Sequence, residues 1–349
     1  MSASSERPES TAAGAVRISD VASAAGVSVA TVSRALNNRS TVNAELAQRV
    51  RDAANRLGYQ PNAVARNLRR RRTDVLALIF SDVANPFYTS VARGVEDVAR
   101  AAGYSVMLCN ADEDHAKEAS YLSVAEQQQV AGVVISPHGA TTDVTRLRRA
   151  DIPVVGIDRS PGATIDIVKV RSRAAAKAAT DHLLAMGWQR PACVSGPEDA
   201  ETAQERYLGY VDSVAEAGLP VRAARAPYTV EGGAAAAVQL LDVDQPPDAF
   251  IVANASLALG VLQELKQRGI GVGVEVGIVS FDESPWAPLM TPSLSVVAQP
   301  AYEIGRRAAG LLLRRIDGGE AGAAPSEVVL DAEIIVRESS QRRVADADR

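Results

Sequence analysis

From Val75 to Phe281 the chain repeats one pattern: a block of four to six mostly apolar residues, a polar break, then a longer amphipathic stretch. That alternation is what a parallel sheet with crossover helices requires, because each strand is buried on both faces and each helix on one. It predicts strands over Val75–Phe80, Ser105–Asn110, Gly132–Ile135, Pro153–Ile157, Ile165–Val170, Pro191–Val194, Ala249–Val252 and Val276–Phe281. Helices are expected over Pro86–Ala102, Ala174–Met186, Thr202–Ala217 and Leu257–Arg268, the first with Asn85 as its cap and Pro86 in its first turn. Eight strands are too many for one lobe. The pattern therefore predicts two doubly wound lobes facing across a cleft, with a ligand at the strand C-termini.

The segment before this pattern differs in charge. Between Arg17 and Arg72 stand eleven arginines, no lysine and three acids (Asp20, Glu45, Asp52), a net +8 that leaves −13 on the rest of a chain whose total is −5. A small basic head on a large acidic body suits a protein of which one part touches a polyanion.

The head reads as three short helices. Ser19 is placed as the cap of the first, which carries Val21, Ala22 and Ala25 on one face and ends at Gly26. Ser28 caps the second, turning Val32, Ala35 and Leu36 inward and leaving Val29, Ala30, Ser33 and Arg34 outward. The third runs from about Ala44 to Leu57, buries Leu46, Val50, Ala54 and Leu57, and stops at Gly58. Two short helices joined by a tight turn containing glycine form a helix-turn-helix, whose second helix enters the major groove.

These residues resemble the head of the LacI/GalR family. The match is carried by Ile18-Ser19-Asp20-Val21-Ala22, Gly26-Val27-Ser28 and Thr31-Val32-Ser33-Arg34-Ala35-Leu36-Asn37, and continues through Gly58-Tyr59-Gln60-Pro61-Asn62 and Ala63-Val64-Ala65-Arg66-Asn67-Leu68. Arg34 has the fork geometry to read guanine O6 and N7, and Val29 and Ala30 can offer apolar contact to a thymine methyl. Thr31, Ser33 and Asn37 are expected to bond phosphates, and Ser19 and Ser28 complete the DNA-contacting set at the helix starts. By the resemblance, residues 62–73 are a hinge helix and linker that order on DNA, with Asn62, Ala65 and Arg66 at the duplex and Leu68 wedged into the central base step of the minor groove. Arg69 to Arg72 either add phosphate contacts or stay solvated.

The remainder resembles the sensor half of the same family, which shares its fold with periplasmic sugar-binding proteins. Here the match lies in Asn85-Pro86-Phe87-Tyr88, Asp158-Arg159, Arg206-Tyr207-Leu208-Gly209-Tyr210, Ala253-Asn254, Asp282-Glu283, Gln299-Pro300 and Val336-Arg337-Glu338-Ser339. The expected fold is a small all-α helix-turn-helix domain (17–61), then an α/β sensor of two doubly wound parallel-sheet lobes (74–340), periplasmic-binding-protein-like. Lobe one is set at about 75–170 with 300–326 and lobe two at about 171–298 with 327–338, three crossovers joining them. Residues 1–16 are expected to be a disordered leader without the features of a signal peptide, and 341–349 a disordered tail.

Asp158, Arg206, Asn254, Asp282 and Gln299 match the family's polar effector contacts, and Phe87, Tyr88 and Tyr228 offer aromatic faces. Polar groups beside aromatics suit a polyol, whose hydroxyls need donors and acceptors while its C–H face packs on a ring. Three positions depart from the family pattern: Ala255 where aspartate is common, Glu283 for aspartate and Ser280 for glycine. They imply an altered pocket, and Trp286 is open between pocket wall and surface cover.

The function this implies is a sequence-specific transcriptional regulator, a repressor, that binds a pseudo-palindromic operator as a homodimer under control of a sugar-like effector. A second reading keeps the scaffold and makes the ligand a nucleoside, a purine or another non-sugar molecule. A third, a solute-binding protein, shares the sensor fold but not the basic head. No nucleophile with its base, metal cluster or phosphate loop is found, so neither an enzyme nor a cofactor is expected, and Asp112, Asp114 and His115 read as a polar loop. No apolar run reaches the roughly 18 residues of a membrane span. Cys109 and Cys193 sit in strand-like blocks and read as buried free thiols. The expected location is the cytoplasm, with the nucleoid.

Overall fold

The computed structural model describes residues 16–36, 42–59, 72–162, 164–318 and 323–343. The chain divides into two compact units, 1–71 and 72–349. The leader up to residue 15, Asn37, the hinge segment to residue 71 and residues 344–349 lie outside the described residues, but 341–343 of the tail expected to be disordered are ordered, with Arg342 over the Trp188 ring and the Arg343 N–H donating to the Gly273 carbonyl at 2.8 Å.

In the first unit, α1 (Ile18–Ala25), α2 (Val29–Leu36) and α3 (Ala44–Leu57) close around Val21, Val32 and Val50, all fully buried, with Ala22, Ala25, Ala35, Ala47, Ala53 and Ala54 between them. Each valine side chain contributes about 1.5–3 kcal/mol by its burial. Gly26 and Gly58 end α1 and α3 in the left-handed conformation, at φ +64° and +66°, which a side chain would oppose.

Two expectations are corrected here. Ser19 does not cap α1: the helix begins at Ile18, and the free Arg17 N–H is met by the Asp20 carboxylate at 2.8 Å, so an acid in the first turn does the work assigned to a serine. Ser28 does serve α2, accepting the Thr31 N–H at 3.1 Å. On α3 the buried stripe is Ala47, Val50, Ala53 and Ala54; Leu46 is half-buried and Leu57 is 38% exposed. The small alanines lie on the face that meets α1 and α2, and the bulkier leucines flank it.

The second unit holds two six-stranded sheets. The first contains β1 (Val75–Phe80), β2 (Ser105–Asn110), β3 (Gly132–Ile135), β4 (Val154–Ile157), β5 (Asp166–Val170) and β11 (Glu327–Leu330); the second contains β6 (Pro191–Ser195), β7 (Ala223–Arg225), β8 (Ala249–Val252), β9 (Gly277–Phe281), β10 (Ser295–Ala298) and β12 (Glu333–Ile335). Their strand orders, β11-β5-β4-β3-β1-β2 and β12-β10-β9-β8-β6-β7, are the same order used twice. All pairings are parallel except that of β10 with β12.

Helices α4 (Pro86–Ala101), α5 (His115–Gln127), α6 (Thr145–Arg149) and α11 (Ala301–Ile316) flank the first sheet; α7 (Ser172–Ala185), α8 (Glu201–Glu216), α9 (Val230–Leu241) and α10 (Ala255–Gln267) flank the second. Each sheet thus separates two apolar clusters, one on either face. Asn85 caps α4, its Oδ1 accepting the Phe87 N–H at 2.9 Å, with Pro86 next in the chain. Asp114 caps α5 by accepting the Ala116 and Lys117 N–H groups, which accounts for the polar run before His115.

The chain passes between lobes after β5, after β10 and between β11 and β12. The expected lobe boundary at 326 and 327 is therefore corrected: Glu327–Leu330 pairs with β5 in the first sheet, and only Glu333–Ile335 joins the second, beside β10. Cys109 and Cys193 are buried and unpaired. Burial pushes both thiols up, that of Cys193 to about 12, so they are neutral packing groups. No helix among the described residues is long and apolar enough to cross a membrane.

Candidate functional site

On the head, the first turns of α2 present a solvent-facing edge. Val29 is 46% exposed, Ser28, Ala30 and Arg34 are exposed, and Thr31 and Ser33 are half-buried. The Ser28 and Thr31 hydroxyls bond each other at 2.9 Å, which fixes the turn in front of α2. Ser19 is exposed on the first turn of α1, its Oγ 3.4 Å from Asp20 Oδ1. Asn37, Asn62, Ala65, Arg66 and Leu68 are outside the described residues.

In the second unit, loops at the strand C-termini of both sheets surround one narrow cavity, lined by Asp82, Asn85, Phe87, Tyr88, Glu113, Asp158, Arg159, Thr202, Arg206, Tyr228, Asn254, Asp282 and Gln299. All eight side chains expected at the effector site lie round it. Asp158 directly follows β4 and Asp282 directly follows β9, and each takes a positive φ, +64° and +72°. Non-glycine residues rarely adopt that conformation, and it turns both carboxylates off their strands into the cleft.

Asp282 is held from two elements: Gln299 Nε2 donates to Oδ1 at 2.6 Å, and Asn85 Nδ2, from the opposite lobe, donates to Oδ2 at 3.2 Å. Asp158 accepts only a long bond from the Tyr88 hydroxyl, at 3.4 Å. Burial raises the Asp158 carboxyl above its ordinary value, against the opposing pull of Arg206 and Arg159. Burial likewise raises the Tyr88 phenol, so it acts as a neutral donor.

Arg206, on α8, lies over the Phe281 ring at 4.3 Å and donates to the Ala253 carbonyl at 2.5 Å, while its Nε has no partner. Arg159 Nε and Gln299 Oε1 are also buried without partners. Such atoms are costly to leave unpaired, and here they supply both donors and acceptors round one space. The Tyr228 ring rests on Gly196, where a Cβ would stand 2.2 Å from Tyr228 Cζ. Phe87 meets Tyr88 edge-on, at 5.0 Å between ring centres.

The departures from the family pattern fall elsewhere. Asn254 is the cap of α10, its Oδ1 accepting the Leu257 N–H at 2.9 Å, and Ala255 is the first residue of that helix, buried and not part of the cavity wall. Glu283 turns away to fork onto Arg337 at 2.7 and 3.3 Å. Ser280, fully buried in β9, bonds the Phe281 carbonyl. Trp286 is half-buried against the core of the second lobe and is not a pocket wall. Asp82, Glu113, Arg159 and Thr202 line the cavity and were not expected there. Arg159 stands in the matching Asp158-Arg159 pair, and for the other three the signal in the sequence is position alone, each lying two or three residues past a strand or opening a helix.

Residues 17–62 match the family described as "Bacterial regulatory proteins, lacI family", and 180–340 match the periplasmic binding protein-like domain. The ribose operon repressor of Halalkalibacterium halodurans is 33% identical over 324 residues, covering 93% of this chain and 97% of that protein. The chain belongs to the LacI family. A second member, the HTH-type transcriptional repressor CytR of Escherichia coli K12, is 32% identical over 94% of this chain and 97% of its own. Among solved structures, the transcriptional regulator CelR–cellobiose complex aligns with TM-score 0.71 and 29% identity, covering 93% of this chain and 99% of that one. This LacI-family chain is accordingly a DNA-binding transcriptional repressor, not an enzyme, and its sensor has the periplasmic-binding-protein-like fold.

Proposed function

We propose that this repressor binds a pseudo-palindromic operator as a homodimer and is controlled by a sugar or sugar derivative held between its lobes. The observation that carries the effector reading is the cavity at the strand C-termini. Partnerless Arg206 Nε, Arg159 Nε and Gln299 Oε1 supply donors and an acceptor there, beside Tyr228 and Phe87. Hydroxyls that both donate and accept satisfy such a lining, and ring C–H faces pack on the aromatics.

In this reading Arg34 reads a base edge, Val29 and Ala30 make apolar contacts, and Ser19, Ser28, Thr31, Ser33 and Asn37 hold phosphates. Asn62, Ala65, Arg66 and Leu68 engage the minor groove. Lobe closure on the effector changes the spacing of the two hinge segments in the dimer, so effector and operator affinities are linked reciprocally. The protein acts in the cytoplasm, where its operator is.

A thermal-shift panel of monosaccharides, disaccharides and nucleosides tests the effector reading. A sugar is expected to give the largest shift and to change operator affinity when added; a response confined to nucleosides contradicts it.

A further inference from the structure

The Asp112 and Glu113 backbones are both left-handed, at φ +52° each. Two successive non-glycine residues in that region are strained, so the turn persists only because its surroundings fix it. The Glu113 N–H donates to the Ser81 carbonyl at 2.9 Å, tying the turn to the end of β1, and the Asp112 carboxylate takes Asn110 on one oxygen and Lys117 on the other.

The result is to aim the Glu113 carboxylate into the effector cavity, where both oxygens fork onto Arg159 Nη1 and Nη2 at 2.8 and 2.7 Å. Arg159 is 3% exposed and lies over the Tyr228 ring of the other lobe at 5.6 Å. Its terminal nitrogens are therefore spent on an internal partner, and only Nε stays open, 3.7 Å from Asp158. Four carboxyl groups (Asp82, Glu113, Asp158, Asp282) face two guanidinium groups (Arg159, Arg206) round the cavity, so the lining carries more acids than bases.

We infer that Glu113 sets the charge selectivity of the effector site: by occupying Arg159 it restricts the site to uncharged polyols and shuts out phosphorylated or carboxylated sugars. The inference rests on the sugar reading above. The two parallel terminal nitrogens of a guanidinium are what grip a phosphate or carboxylate, and on Arg159 that fork is already filled, while the Glu113 charge repels an anion brought into the cavity.

Isothermal titration of the intact protein with D-ribose, D-glucose, ribose 5-phosphate and glucose 6-phosphate tests it, on the wild type, Glu113→Gln and Glu113→Asp. The wild type is expected to prefer the uncharged member of the tighter pair by at least about 30-fold, roughly 2 kcal/mol. Glu113→Gln is expected to narrow that ratio about tenfold or more, whereas Glu113→Asp, which keeps the charge, preserves most of it. A wild type that binds the phosphate as tightly as the free sugar overturns the inference without help from any variant. A ratio unmoved in Glu113→Gln overturns it as well, while leaving the sugar reading in place. If none of the four compounds nor any other sugar binds the wild type, the sugar reading fails and the inference falls with it.

Discussion

Asp158 and Asp282 occupy the same place in two sheets of identical strand order, each one residue beyond the third strand and each held in a left-handed conformation. The two carboxylates approach the cavity from opposite lobes, yet their settings differ. Asp282 is bonded on both oxygens by amide donors, whereas Asp158 is buried with one long bond. Asp282 thus bridges the two lobes through Asn85, and Asp158 keeps acceptor capacity facing the cavity.

That difference has a consequence for stability. Burial raises the Asp158 carboxyl above 3.8, so between 3.8 and the raised value the folded protein keeps a proton there that the unfolded chain releases. Stability contributed by this group is present at low pH and is lost as pH rises through the raised value. Asp158→Asn is expected to raise the Tm of the effector-free protein at neutral pH, the gain shrinking as pH falls toward 3.8, while weakening the effector about tenfold or more. Calorimetric melts across pH, with and without the best sugar, check both halves.

Asp166 behaves in the opposite sense. Burial disfavours its charge, but the Arg315 fork at 2.8 and 2.9 Å and the Ser326 N–H at 2.7 Å outweigh that and hold the carboxyl below its ordinary value. Its stabilisation is present above 3.8 and is lost as pH falls through the depressed value. Asp166→Ala leaves Arg315 without this partner beside the β5–β11 pairing and is expected to cost about 3 kcal/mol, measured by urea unfolding at neutral pH.

Gly196 is needed for the effector site and not for a turn. Gly196→Ala sets a methyl against the Tyr228 ring, whose nearest atoms stand 2.2 to 2.5 Å from the new Cβ. The ring must then shift, which disturbs its contact with Arg159. Effector affinity is expected to fall about tenfold, the loss of one aromatic contact worth ~1–2 kcal/mol, with a much smaller change in Tm. Titration and melting of the same preparation separate the two effects.

On the head, Asp20→Ala is expected to cost about 1 kcal/mol of unfolding free energy, the usual price of a lost N-terminal acceptor. Ser19→Ala, at an exposed position that caps nothing, should stay within about 0.5 kcal/mol of the parent. Equal losses in both variants would restore Ser19 as the cap. Chemical denaturation followed through the first unit's helicity distinguishes them.

Much of the fold could be read from residue order because its elements announce themselves. Val75–Phe80 is an unbroken apolar run, and Asn85-Pro86 is a helix start in two residues. Where local signal is weak, the reading stops. Glu327–Leu330 and Glu333–Ile335 are short, partly exposed strands two residues apart, and nothing local says that one joins each sheet. In α5 the apolar residues are spread around the axis and give no stripe.

The lining of the interlobe cavity was legible where a family motif marks it, as at Asp158, Arg206 and Asp282. Glu113 was not, because its place depends on two left-handed backbone angles and not on residue type. Ala255 looked like a lost ligand contact and proves to be a buried helix start behind the wall, since whether a side chain faces the cavity depends on helix phase.

The most direct test of the account is selection of binding sites from random duplex DNA by the full-length wild type and by Arg34→Ala under one salt condition. The account predicts that the wild type recovers a pseudo-palindrome with half-sites about one helical turn apart. Arg34→Ala should lose about 10- to 100-fold in affinity for that site, with selectivity relaxed at one symmetric guanine position and non-specific binding little changed. An asymmetric site, or a variant that selects the same sequence with the same affinity, would contradict it.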